Sequence, residues 1–90
     1  MLFRSRREVA RLRLEASRCV RRRSQLQYAL GGAVYAGDEA EAERLRAEMQ
    51  AADARIAECI REANEVVERA RARTSREKLA VSRTEVRPRG

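Results

Sequence analysis

The chain has 90 residues, 39% of them charged and 3% aromatic, with a net charge of +7 and no His. That size and composition leave room for one small domain or one extended element. They argue against an aromatic core and against a buried catalytic site. Ala, Arg, Glu and Leu dominate, which is the composition of long helices and coiled coils.

Without His, neither a Ser/His/Asp triad nor a Cys/His pair is possible. Two thiols, Cys19 and Cys59, make no disulfide framework and cannot complete a zinc site within one chain. No Gly-rich phosphate loop or Ca²⁺-loop spacing occurs, so the expectation is a protein without catalytic residues, metal or cofactor. The longest uncharged stretch, 24–37, contains Ser24, Gln25, Gln27 and three Gly. It is too short and too mixed to cross a bilayer, which needs about 20 mostly apolar residues. The opening Met1-Leu2-Phe3-Arg4 lacks the basic-then-apolar order of a secretory signal, and the expected location is cytoplasmic.

The first helix is predicted over about 3–36. Val9, Leu12, Ala16, Cys19, Arg23, Leu26, Leu30 and Ala33 recur at alternating steps of three and four, the spacing of a coiled-coil seam. Arg23 is the exception within it. A charged seam residue lowers stability and fixes register, and its guanidinium is expected to reach Glu48 or Asp53. Gly31 and Gly32 each cost about 1 kcal/mol against Ala in a helix. Either the helix ends near Leu30 and residues 31–37 form a loop, or it runs to about Ala36 with a weak spot; the seam keeps its phase through Ala33 and Val34, which favours the second. Tyr28, Val34 and Tyr35 are then expected to cap the closed end.

A turn is predicted at about 36–38. Gly37 supplies a C-terminal glycine, Asp38 an N-cap, and Glu39 and Glu41 an acidic first turn, in the order in which one helix ends and the next begins. The second helix follows over about 38–78. Its seam is Ala42, Leu45, Met49, Ala52, Ile56, Cys59, Ala63, Val66 and Ala70. In an antiparallel hairpin, facing layers have residue numbers with a constant sum. Leu30 with Leu45, Leu26 with Met49, Cys19 with Ile56, Ala16 with Cys59, Leu12 with Ala63 and Val9 with Val66 all sum to 75. The midpoint falls between Gly37 and Asp38, where the turn signals stand. The two Cys lie one layer apart, too far for a disulfide, and are expected to be reduced and buried. Residues 79–90 lose the seam and are expected to form a disordered basic tail. The predicted fold is all-α: an antiparallel two-helix coiled-coil hairpin over 1–78 followed by that tail.

Charge is polarised along the hairpin. Residues 38–68 carry −6, whereas residues 1–37 carry +7 and residues 69–90 carry +6. The open end therefore gathers Arg4, Arg6, Arg7, Arg11 and Arg13 with Arg69, Arg71, Arg73, Arg76 and Lys78. That is a footprint for polyanion contact, though without a DNA-reading motif or an aromatic stacking platform. Beside or outside the seam, Val20, Ile60, Val67 and Leu14 offer a second apolar strip. Six seam positions are Ala, so one hairpin buries little, and self-association is expected, most simply as an antiparallel homodimer forming a four-helix bundle.

Three functional readings follow, in order. The first is a non-enzymatic coiled-coil scaffold or adaptor acting through protein–protein contact, with an unidentified protein partner. The second is a non-specific nucleic-acid-associated protein using the basic open end. The third is peripheral contact with an anionic membrane through Leu2, Phe3 and the neighbouring Arg residues.

The run Leu30-Gly31-Gly32-Ala33-Val34-Tyr35-Ala36-Gly37-Asp38-Glu39-Ala40, continued by Ala42, Arg44, Leu45 and Arg46, resembles the turn of small helical-hairpin proteins from high-GC actinobacteria. Leu79-Ala80-Val81 followed by Thr84-Glu85-Val86 is similar too. The resemblance covers about half the chain. It implies a hairpin and no particular activity.

Overall fold

The structure is a computed structural model that describes residues 2–86, with side chains over 4–79. Two helices make up the described chain: α1, Leu2–Ala36, and α2, Glu39–Val86. They pack antiparallel as a hairpin, a rod of 81 × 17 × 13 Å.

The turn between them is two residues long. Gly37 adopts a left-handed φ of 74°, which an L side chain rarely takes. The Asp38 amide donates to the Ala33 carbonyl at 2.9 Å and the Gly37 amide to the Val34 carbonyl at 3.1 Å. This is the Schellman pattern, which satisfies the carbonyls left over at a helix end. The chain then reverses at once. Asp38 caps α2: its Oδ1 accepts from the Glu41 amide at 3.1 Å and its carbonyl from the Ala42 amide at 3.0 Å.

Among the described residues, every fully buried one comes from the predicted seam: Leu12, Leu26, Ala33, Ala42, Leu45, Cys59, Ala63 and Val66. They form two clusters. Leu26, Ala33, Ala42 and Leu45 pack with Leu30 and Met49 at the turn end. Leu12, Cys59 and Ala63 pack with Val9 and Ala16 nearer the open end. Arg23 stands between the clusters, half-buried, as the sequence places it. Its Nε donates to Asp53 Oδ1 at 2.6 Å and its Nη1 to Gln27 Oε1 at 3.3 Å. Its stem fills the seam while its head leaves the core. Arg23→Leu should join the two clusters and stabilise the hairpin by about 1 kcal/mol, since part of a leucine's transfer energy is recovered at a half-buried site. Thermal unfolding followed by circular dichroism checks this.

Three expectations change. Tyr28 and Tyr35 do not cap the closed end: they are 88% and 95% exposed, and Val34 is 52% exposed. The two Tyr are seven residues apart on the face turned away from α2, and a two-residue turn supplies no loop to fold over them. Cys59 is buried but Cys19 only partly so, because Cys19 lies in the gap between the clusters beside Arg23. Finally, α2 runs to Val86, past position 78. Losing the seam removes a partner without removing helix-forming residues, and the first breaker is Pro88. The side chains of Leu2 and Phe3, and residues 87–90 of the expected tail, lie outside the described residues.

Candidate interaction surfaces

A two-helix seam has two flanks, and here they differ in chemistry. On one flank Glu15, Arg22, Glu48 and Arg55 bridge the helices. Arg55 Nη2 lies 2.7 Å from Glu15 Oε1, and its Nε donates to the same oxygen at 2.9 Å. Arg55 Nη1 also meets Glu58 Oε2 at 3.2 Å. Hydrogen bonds to Glu15 and Glu58 raise the proton affinity of Arg55 above that of an ordinary guanidinium. Arg22 reaches Glu48 at 3.7 Å. Glu48 also accepts from Arg44 at 3.2 Å, and Arg44 in turn clasps Glu41. That hydrogen bond lowers the Glu41 pKa. These exposed pairs are each worth under about 1 kcal/mol, but they give the flank a closed, zwitterionic surface.

The other flank is built from positions seven apart: Arg6, Arg13, Val20 and Gln27 on α1, and Asp53, Ile60, Val67 and Thr74 on α2. Val20 is 50% exposed and Ile60 53% exposed. In the turn half of this side Asp53 binds Arg23. Towards the open end a groove of about 760 Å³ lies between the helices, with Val9, Val67 and Ala70 forming its apolar floor. A smaller recess of about 110 Å³, lined by Ala16, Ile60 and Ala63 among others, continues it toward the turn and shares Arg13 and Val67 with it. The groove exists because its walls carry small side chains, Ala10, Thr74 and Ser75, over a floor that is only an Ala at position 70, where a third layer of large apolar residues would otherwise fill the space. The Thr74 hydroxyl is turned back onto its own helix, donating to the Ala70 carbonyl at 3.0 Å.

Four of the ten predicted polyanion residues converge here: Arg6, Arg13, Arg71 and Lys78 line the groove. Among the described residues no acidic side chain lines it. Arg4, Arg7, Arg11, Arg69, Arg73 and Arg76 are exposed but stand outside the groove lining. Of the predicted self-association residues, Val67 lines both cavities, Ile60 lines the smaller, and Val20 lies farther toward the turn on the same flank. Sequence reasoning missed the small wall residues. Their signal was available as Ala10, Thr74 and Ser75 beside the seam, but a small residue reads equally well as plain surface.

Cys59, 1% exposed beneath this flank, is a thiol whose pKa burial pushes up. No helix among the described residues is long and apolar enough to cross a membrane. Comparison with protein-family models, with curated proteins and with solved structures finds no match.

Proposed function

We propose that the chain is a non-enzymatic coiled-coil scaffold that works by protein–protein contact, including contact with a second copy of itself. The observation that carries this reading is the asymmetry of the flanks. One is closed by Glu15–Arg55 and Arg22–Glu48, while the other leaves Val20 and Ile60 half exposed beside an apolar recess. A lone hairpin buries a single seam, so covering this strip with the same strip of another copy adds the missing hydrophobic layer. A two-fold arrangement is the simplest closed solution.

The test is the mass in solution by size exclusion with light scattering. Wild type should exceed the mass of one chain. Val20→Glu with Ile60→Glu should return it to one chain while circular dichroism keeps its helical signal, since both side chains are half exposed. A wild-type monomer across the concentration range would sink the self-association reading. The four groove cations support a second reading, polyanion contact, for which affinity for a generic duplex should fall steeply with salt.

A further inference from the structure

We propose that the open-end groove seats an acidic amphipathic helix of a partner protein. The inference rests on the scaffold reading above and names the chemistry of its partner.

The groove combines two features that demand one kind of ligand. Its floor is apolar, made by Val9, Val67 and Ala70. Its rim is cationic on both sides, Arg6 and Arg13 from α1 facing Arg71 and Lys78 from α2. None of these four forms an ion pair with another described residue. By contrast, Arg22, Arg23, Arg44, Arg46 and Arg55 are all neutralised within the chain. Unpaired cations around an apolar floor call for a ligand with an apolar ridge and flanking carboxylates.

Shape selects the class. A trough between two antiparallel helices is the space that a third helix fills in a coiled-coil bundle, with its ridge at i, i+3, i+4 and i+7. The lining spans 67–78 on α2, about 17 Å at the helical rise, so it takes about three turns of a partner helix. A nucleic acid would satisfy the cations but leave the floor uncovered, and among the described residues no aromatic side chain lines the groove for base stacking. A bilayer surface does not enter a trough. The second copy is a poor occupant by charge. On the contact flank its acidic half offers Asp53, which already holds Arg23, and Arg46, which already holds Glu43.

The test uses a fluorescein-labelled synthetic helix of about four turns, with Leu at heptad spacing and Glu at the flanking positions. A peptide of the same composition in scrambled order, a single-stranded oligonucleotide and anionic phosphatidylglycerol vesicles serve as comparisons. The acidic helix should bind full-length protein with micromolar affinity, and the scrambled peptide at least about tenfold more weakly. Arg13→Gln with Arg71→Gln should weaken the acidic helix by about tenfold or more, through loss of two charge-assisted contacts. Ala10→Glu, on an exposed wall position that leaves the seam intact, should do the same. Equal binding of the scrambled peptide, tighter binding of the oligonucleotide or the vesicles, or no binding at all overturns the proposal. The mass measurement is independent of this one. A dimer that ignores the peptide leaves the scaffold reading standing and removes its partner.

Discussion

Leu12→Ala should destabilise the hairpin by about 2–5 kcal/mol, whereas Leu14→Ala, two residues away, should change it by less than about 0.5 kcal/mol. Leu12 is 1% exposed and packs with Cys59 and Ala63, so truncation removes its transfer energy and leaves a cavity between two helices that cannot collapse freely. Leu14 is 53% exposed on the outer face and loses almost nothing. The chemistry of the two changes is identical, so the difference isolates register. Urea unfolding monitored at the helical circular dichroism band measures both. The hairpin's total stability is that of a small domain with one seam, so Leu12→Ala is expected to leave the chain largely unfolded at 37 °C. Comparable losses for Leu12 and Leu14 would mean that α1 is rotated about its axis relative to the packing described above.

Gly31→Ala with Gly32→Ala should act in the opposite direction, stabilising the hairpin by about 1–2 kcal/mol in total. Both glycines lie inside α1, both are exposed, and a Cβ added at either meets no atom within 4 Å. Neither has the positive φ that Gly37 needs. The substitution therefore removes backbone freedom from the unfolded chain and adds no clash to the folded one. Gly37→Ala is the internal control. It also meets open space, but at a φ of 74° it should lose about 1–2 kcal/mol to left-handed strain. Thermal melts of the three variants against wild type decide the matter. A loss of stability in the Gly31 and Gly32 variant would show that α1 does not run straight through these positions.

Much of this architecture was legible from residue spacing. The alternating three-and-four steps of Leu12, Ala16, Cys19 and Leu26, and of Leu45, Met49, Ile56 and Cys59, belong to helices that share a seam. The constant sum of 75 located the turn because a two-residue reversal leaves no slack between the arms. Arg23 was readable for the same reason: a charged side chain at a seam position has to send its head outward, toward Glu48 or Asp53, and the structure gives it Asp53 while Glu48 pairs with Arg22. The functional surface was less legible. Ten basic residues were assigned to the open end, and only Arg6, Arg13, Arg71 and Lys78 meet around one groove. Sequence order gives each residue's height along the rod, whereas the sharing of a cavity depends on which side of the seam it projects from. The tyrosines fail in a similar way. Proximity to the turn suggested a cap, but the helical phase of Tyr28 and Tyr35 carries both away from α2.

What the sequence determined by itself is the all-α hairpin, its register and its turn, because periodicity, capping residues and a left-handed glycine are local or one-dimensional constraints. Only the tertiary structure decided that the two flanks differ. Ionic closure on one side and an open, apolar-floored groove on the other arise from how far apart the helices sit and which small side chains line the gap, quantities that no spacing of letters contains.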